Sequence, residues 1–190
     1  GIEAPLGAVA EGIHVRLTNR SLIWNNSITG TFVEGMLFES LNAVVAANNT
    51  VHANASAQIS VYLTNHSTIA NTTMGHTLGQ FGIYIENSDN LTIDAVHVTQ
   101  VDDEGISTEQ LTRSTISNSY VSGMLYGGGY MLYNSATTTL VNNTANNTVF
   151  GAFLYRGVNM TVIGNTFENA VNSYEAGIGV QQTNNSVIAG

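Results

Sequence analysis

The sequence lacks several kinds of residue, and each absence narrows what the protein can be. It has no cysteine, so disulfide bonds are excluded. It has no lysine, its four cationic residues are all arginines, and its net charge is −9. This balance argues against nucleic acid, because affinity for nucleic acid comes mainly from neutralised phosphates, and it equally disfavours polyuronates. No apolar run approaches the roughly 20 residues of a transmembrane helix, so no membrane span is predicted.

What the sequence has instead is an internal repeat with a period of about 23 residues. Positions 2 and 4 of the copies are almost always apolar, as at Ile83 and Ile85, which is typical of a strand with one buried face. Position 12 indicates a second short strand, and position 17 indicates a third. The copies are predicted to begin at Gly12, Gly35, Gln58, Gly82, Gly105, Gly129, Ala152 and Gly177.

Three short strands in each copy predict an all-β protein, a right-handed parallel β-helix with about eight rungs. The predicted solenoid covers residues 12–190. Residues 1–11 are predicted to form a lead segment that caps the first rung or takes part in association. Because an open end of a solenoid exposes unpaired strand edges, we expect end-to-end or lateral contact with further copies of the chain. The alternative is that the chain is cut from a larger protein.

Asparagine recurs at position 14 of the repeat. If rungs stack at about 4.8 Å, equivalent side chains lie above one another, and each amide can donate to its neighbour's carbonyl oxygen. The alternative is that asparagine is simply common in turns. The recurrence at one position predicts an inward asparagine ladder of Asn25, Asn48, Asn71, Asn118, Asn142 and Asn165.

Segments such as NHSTIANTT, from Asn65, resemble the right-handed β-helix superfamily. The resemblance is closest to the NosD-like and carbohydrate-binding or sugar-hydrolase repeats, with their N-x-S/T-I-x-N-N-T rhythm, and it covers the chain from Gly12 onwards. It implies the fold. It leaves the function open, because that superfamily includes lyases, hydrolases, epimerases, phage tailspikes, adhesins and copper-maturation proteins.

Asn-x-Ser/Thr sequons are frequent, and their position in the repeat separates them into groups. Those in the predicted ladder should point inward and stay unmodified. Those in the turn after the first strand should be exposed, and if they carry glycans the protein is extracellular or on the cell surface. An Asn- and Thr-rich repeat also generates sequons by chance. The predicted glycosylation sites are Asn19, Asn65, Asn90, Asn159 and Asn184.

The outward positions of the first strand form a flat stripe of aromatic and apolar residues with charged residues at its rim. Such a stripe indicates contact with a partner or a sugar polymer. The alternative is that a flat sheet accepts β-forming residues at any outward position. The predicted binding face consists of Tyr62, Tyr84, Met131, Tyr133 and Leu154.

Acidic residues cluster at Asp102, Asp103 and Glu104, and stacking would place Glu86 beside Glu109. Paired carboxylates could serve as the acid and base of a glycosidase, or they could bind calcium as a cofactor. Asp102, Asp103, Glu86 and Glu109 are therefore the catalytic candidates, and Asp102, Asp103 and Glu104 are the metal candidates. The Asp102–Asp103 pair resembles that of polygalacturonase-like hydrolases, but the Gly-His-Gly and Arg-Ile-Lys motifs are absent. A plain solvated turn is the alternative.

The five histidines occupy five different repeat positions and are not expected to stack into a metal cage. Met74 and His76 are near one another, and the NosD-like resemblance makes them a candidate copper pair. Two ligands alone do not make a site.

Two functions remain open at this point. The leading hypothesis is a non-enzymatic structural or adhesive protein of the cell surface, a fibre or a filament, whose partner is a glycan or another copy of the chain. The alternative is a carbohydrate-active β-helix enzyme, such as a tailspike-like polysaccharide depolymerase.

Overall fold

The computed structural model describes residues 2–3, 11–75, 79–170 and 177–190. Most of the predicted lead segment, residues 1–11, lies outside the described residues. Regular structure in the described part consists of β-strands, and no helix there is long and apolar enough to cross a membrane. Every strand pairs in parallel with the equivalent strand of the neighbouring copy. The predicted parallel β-solenoid is confirmed, with about seven turns.

Three parallel sheets run the length of the solenoid, with eight strands in each. The first sheet contains β2 (Ile13–Arg16), β5 (Glu34–Glu39), β8 (Ala57–Tyr62), β11 (Phe81–Glu86), β14 (Glu104–Glu109), β17 (Tyr130–Tyr133), β20 (Ala152–Tyr155) and β23 (Ile178–Gln181). The second contains β3 (Leu22–Trp24), β6 (Val45–Ala47), β9 (Thr68–Ala70), β12 (Thr92–Asp94), β15 (Thr115–Ser117), β18 (Thr139–Val141), β21 (Thr161–Ile163) and β24 (Val187–Ala189). The third contains β1 (Ile2–Glu3), β4 (Ser27–Thr31), β7 (Thr50–Asn54), β10 (Thr73–Gly75), β13 (His97–Thr99), β16 (Tyr120–Ser122), β19 (Thr144–Asn146) and β22 (Thr166–Glu168).

The core is a column of apolar side chains enclosed by the three sheets. Ile83 and Ile85 of the first sheet point inward, as do Ile93 of the second and Val98 of the third, and all four are fully buried. Ile83, Ile93 and Val98 each stack on an apolar equivalent in the next rung, whereas Ile85 stacks on the buried Thr108. Burial of one such side chain contributes about 1.5–3 kcal/mol.

A column of glycines marks the start of the first strand in seven of the eight rungs. A Cβ at Gly82 would lie 2.3 Å from a methyl carbon of Val98 and 2.5 Å from the backbone oxygen of Gly105, so the first and third sheets pack too closely for a side chain. The exception is Gln58, which is buried and whose amide bonds both backbone polar groups of Ala53. Close packing therefore fixes glycine at position 1.

The seventh copy begins at Gly151, and its predicted start at Ala152 is wrong by one residue. Ala152 pairs with Tyr130, which is position 2 of the sixth copy. Ala152 and Leu154 are therefore core residues, both fully buried, while Phe153 points outward. The prediction failed because the run from Ala152 to Tyr155 is apolar on both faces, so alternation could not set the register.

The corners between strands depend on residues in the left-handed backbone region. Among the described residues, 25 that are not glycine have φ between 46 and 57°. Twelve of them are asparagine, whose short polar side chain makes this conformation more accessible than it is for most residues. The high asparagine content therefore follows largely from the corners.

The predicted ladder is displaced by one residue. Its first five members are exposed, and they occupy left-handed corner positions instead of pointing inward: Asn25, Asn48, Asn71, Asn118 and Asn142. In the seventh copy Gly164 takes the corner conformation, so the sixth predicted member, Asn165, is the one that turns inward. At each of these corners the left-handed residue points out and its successor points in. Side-chain identity could not decide which asparagine of an Asn-Asn pair has which role.

The inward amides lie at the following position and form two short ladders. Asn143 accepts a hydrogen bond from the Ser119 backbone N–H at 3.0 Å, and its Nδ2 donates to the Ile116 carbonyl at 2.9 Å and to Asn165 Oδ1 at 3.0 Å. Asn26 donates to Asn49 Oδ1 in the same way, at 3.0 Å. Thr72, Val96 and Ser119 fill the rungs between. These amides satisfy backbone groups that the corner would otherwise leave unpaired.

Candidate functional site

The outward side chains of the first sheet, here called the outer first-sheet face, lie in three parallel columns. The column before the glycines contains Glu34, Ala57, Phe81 and Glu104 in register. The middle column contains His14, Leu37, Ser60, Tyr84, Ser107, Met131, Phe153 and Gly179. The last column contains Arg16, Glu39, Tyr62, Glu86, Glu109, Tyr133, Tyr155 and Gln181.

The structure separates the five residues predicted for the binding face. Tyr62, Tyr84 and Tyr133 point outward and are half-buried, which leaves part of each ring open to contact. Met131 lies in the middle column but is only 6% exposed. Leu154 is a core residue, because the seventh copy begins one residue earlier than predicted. Its place on the surface is taken by the two neighbours that the sequence reasoning missed, Phe153 and Tyr155.

Two aromatic clusters lie on this face. The N-terminal cluster is Tyr62, Phe81 and Tyr84, with ring centroids 5.9 Å apart for the two tyrosines and 5.2 Å apart for Phe81 and Tyr84. The C-terminal cluster is Tyr133, Phe150, Phe153 and Tyr155. Phe150 and Phe153 are 5.3 Å apart, and the rings of Phe153 and Tyr155 are nearly parallel. Such spacings are those of favourable aromatic pairs, so each cluster forms one mutually supported surface.

Carboxylates occupy the interval between the clusters. Glu86 and Glu109 pair in register on adjacent strands, as the repeat predicted. The Tyr84 hydroxyl donates to Glu86 Oε2 at 3.3 Å, and the Tyr133 hydroxyl donates to Glu104 Oε1 at 3.0 Å. Within the described part of the chain, none of these three glutamates forms an ion pair, since the ion pairs there involve Glu39 and Asp89. Glu86 Oε1 also accepts a hydrogen bond from Asn87 Nδ2 at 2.9 Å. The remaining lone pairs of these carboxylate oxygens can accept further hydrogen bonds.

Burial and neighbouring charges shift the pKa values of Glu104 and Tyr84. Burial raises the pKa of Glu104 above its ordinary value, against the opposing effect of hydrogen bonds from Ser107 and Tyr133. Burial, together with the charges of Glu86 and Glu109, raises the pKa of Tyr84 to about 12. These shifts favour the uncharged forms of Tyr84 and Glu104. Tyr84 stays protonated throughout the range around pH 7.

The acidic turn of Asp102, Asp103 and Glu104 is the predicted metal site. Burial raises the pKa of Asp103, with a contribution from the charge of Asp102. The turn packs tightly against the next rung, where a Cβ at Gly127 would lie 2.5 Å from Asp103 Oδ1. Among the described residues, no group of three histidine or acidic side chains could hold a metal ion. Calcium binding by Asp102, Asp103 and Glu104 stays a prediction, and His76 of the suggested copper pair lies outside the described residues.

The predicted glycosylation sites all lie on the corner between the first and second sheets. Asn19, Asn65 and Asn184 form bridges at position 8, and Asn90 and Asn159 occupy the left-handed position that follows. All five are exposed. The ladder sequons predicted to be buried (Asn25, Asn48, Asn71 and Asn142) are exposed as well, on the opposite edge of the second sheet. Burial therefore does not separate the two groups of sequons.

The sequon hydroxyls also have a structural role at these corners. Ser67 is buried; its Oγ donates to the Asn65 carbonyl at 2.8 Å and accepts from the Val44 N–H at 3.0 Å. Ser186 makes the equivalent pair of bonds to Asn184 and Met160. The Asn-x-Ser pattern thus has a purpose in folding whether or not the asparagine is modified.

Comparison with known proteins agrees with this geometry. A family model described as the right handed beta helix region matches residues 42–190, most of the chain. The chain belongs to this family. No curated protein matches it. Among solved structures, the surface protein and adhesin PfbA of Streptococcus pneumoniae aligns with a TM-score of 0.44 at 7% identity, over 93% of this chain and 68% of that one.

Proposed function

We propose that this right-handed β-helix is a cell-surface adhesive protein that binds carbohydrate along the outer first-sheet face. The observation that carries the proposal is the pair of aromatic clusters with unpaired carboxylates between them. Aromatic rings offer flat apolar surfaces for the faces of sugar rings, and carboxylates accept hydrogen bonds from sugar hydroxyls. A few convergent polar groups among aromatic side chains are the usual makeup of a small-molecule site.

Binding to immobilised glycans tests this function. Tyr84→Ala removes a central ring of the N-terminal cluster and should weaken retention on whichever glycan the wild-type protein binds. Trp24→Ala is the matched control, because Trp24 is an aromatic residue of the second sheet that is 58% exposed. A protein that binds no glycan in a broad array, or that loses binding equally in both variants, would contradict the proposal.

The extracellular location and the glycosylation belong to the same proposal. Exposure of the corner asparagines supports both, since a sequon must be reachable to be modified and N-glycans are added to secreted proteins. Intact mass of the native protein tests them directly. Added hexose and N-acetylhexosamine mass at Asn19, Asn65, Asn90, Asn159 or Asn184 is the expected result, and an unmodified chain mass would reject this part.

Association between copies is a competing use of the same surface. A flat face that carries seven aromatic rings could pack against its equivalent in a second molecule. Sedimentation of the wild-type protein and of Tyr84→Ala distinguishes the two uses. A monomer that binds glycan supports adhesion, whereas an oligomer that dissociates on substitution of Tyr84 supports self-association.

A depolymerase remains the second candidate because of one observation. Glu104 has a pKa raised by burial and lies among further carboxylates, which is the environment of a general acid. Release of reducing ends from a bound polysaccharide would identify an enzyme. Glu104→Gln should then abolish release while retaining binding, and a wild-type protein that binds without release supports adhesion alone.

A further inference from the structure

The two aromatic clusters are separated along the axis of the solenoid. Tyr84 of the N-terminal cluster pairs with Ser107, which pairs with Met131, which pairs with Phe153 of the C-terminal cluster. These are three rung steps, or roughly 14 Å at about 4.8 Å per step. A ligand that contacts both clusters must therefore extend along the axis.

The charged groups between the clusters are carboxylates, and the middle column beside them is buried, with Ser107 2% and Met131 6% exposed. Ser107 lies in the middle column between Tyr84 and Met131, with Glu109 two residues further along the same strand. The arginines of this face are at its two ends. Arg16 is 3.2 Å from Glu39, and the guanidinium of Arg156 lies 4.9 Å from the centre of the Tyr155 ring.

We propose that the two clusters are separate subsites for one linear, uncharged polysaccharide that lies parallel to the solenoid axis. This inference rests on the glycan-binding function proposed above. The clusters occupy the third to seventh rungs, and one pyranose unit is about as long as one rung is high. The full site therefore spans about five sugar units.

The length of the oligosaccharide should determine its affinity for the protein, because the two subsites are joined by a rigid sheet. A short oligosaccharide reaches one cluster and gains the contacts of that cluster alone. Once the chain is long enough to reach the second cluster, the second contact becomes intramolecular, and affinity rises by on the order of 10²-fold. The rigidity of the parallel sheet removes any cost of arranging the clusters at the moment of binding.

The carboxylates select against charged glycans. A uronate or a sulfate placed between the clusters would face Glu86 and Glu109 without a cation to separate them, and like charges at such distances repel. A neutral sugar instead donates its hydroxyl hydrogens to the carboxylate oxygens. The same residues thus provide the hydrogen bonds for one class of polymer and the repulsion against the other.

The experiment measures dissociation constants by calorimetry for oligosaccharides of two to seven units. The neutral probes are cello-, xylo-, manno- and chito-oligosaccharides, and oligogalacturonates are the charged series. At least one neutral series should show a steep gain in affinity at about five units. The oligogalacturonates should show no binding at any length.

Substitutions assign the length dependence to the two clusters. Phe153→Ala and, independently, Tyr155→Ala should remove the gain at about five units while leaving the weak binding of short chains. Trp24→Ala should keep the wild-type curve, and thermal melts check that each variant is folded. The series on the wild-type protein does not depend on the folding of any variant.

The possible results separate the two proposals. Binding to neutral oligosaccharides with no dependence on length would overturn the two-subsite inference and leave glycan binding intact. Binding of oligogalacturonates at comparable affinity would overturn the selection by charge. Failure of every series and of the glycan array would overturn the proposed function itself.

Discussion

The outer faces of the first and second sheets share one scaffold and differ in what they present. On the second sheet, position 11 is threonine in five successive rungs: Thr68, Thr92, Thr115, Thr139 and Thr161. Its one aromatic residue in the described strands is Trp24. On the first sheet the outward residues change from rung to rung and include two aromatic clusters and a run of glutamates.

This difference shows where the repeat is constrained and where it is free. The inward residues of both sheets are mostly apolar because each rung must stack on the next, and the fully buried Thr108 of the first sheet is an exception. A uniform outer column such as the threonines is what a repeat gives when nothing but strand formation is required of it. The aromatic and acidic residues that vary along the first sheet therefore support the proposed binding surface, since a repeated scaffold carries activity where its copies differ.

The largest effect is expected from the core that supports both faces. Ile116 is fully buried beneath the second sheet. Ile116→Asn removes that burial and places an amide among apolar side chains, so it should lower the free energy of unfolding by about 3–5 kcal/mol. Thr115→Asn puts the same residue at the neighbouring position, on the outer face, and should lower the free energy of unfolding by less than about 1 kcal/mol. Denaturant unfolding measures both, and equal midpoints would refute the assignment of inside and outside.

A smaller effect is expected at the corners. Asn143→Ala leaves the Ser119 N–H and the Ile116 carbonyl without their bonds and should cost about 1–3 kcal/mol. Asn118→Gly removes an exposed corner side chain while keeping the left-handed backbone conformation accessible. It should therefore lower the free energy of unfolding by much less than Asn143→Ala does. If urea midpoints show the opposite order, the displaced ladder described above is incorrect.

The two faces should also differ in how their side chains respond to pH. Since the pKa of Glu104 is raised from 4.5 in the folded state, the folded protein holds a proton that the unfolded chain has released. The contribution of this carboxyl to stability is therefore fully present below about pH 4.5 and is lost as pH rises through the folded-state pKa. Glu34, whose pKa burial also raises, acts in the same direction.

Glu104→Gln should make this decline shallower, whereas Thr115→Gln, which puts the same amide on the second sheet, should leave it unchanged. Melting temperatures between about pH 4 and about pH 8 provide the measurement. Identical slopes in wild type and Glu104→Gln would show that the carboxyl is not buried in solution.

The smallest effect is expected on the threonine column. Thr92→Val keeps a β-branched residue at an exposed position and should change the free energy of unfolding by less than about 0.5 kcal/mol. It should also leave oligosaccharide binding untouched. A loss of binding in this variant would assign the function to the second sheet and reverse the comparison of the two faces.

The periodic features of the fold could be predicted because stacking makes them repeat. Apolar alternation at residues such as Ile83 and Ile85 indicated the inward face, and the registered pair Glu86 and Glu109 followed from the period alone. One failure occurred where a single rung departs from the pattern. Ala152 was taken as position 1 although Gly151 continued the glycine column, and that one-residue error hid Phe153 and Tyr155.

The sequence by itself determined the period, the parallel coil and the alternation of buried and outward residues, because these depend on side-chain polarity that repeats every rung. Only the tertiary structure decided which asparagine of each corner turns inward, since that depends on which residue takes a positive φ. It also decided that Phe150 and Phe153 lie together with Tyr133. Residues from separate rungs become one surface only when the register between rungs is fixed by packing in the core.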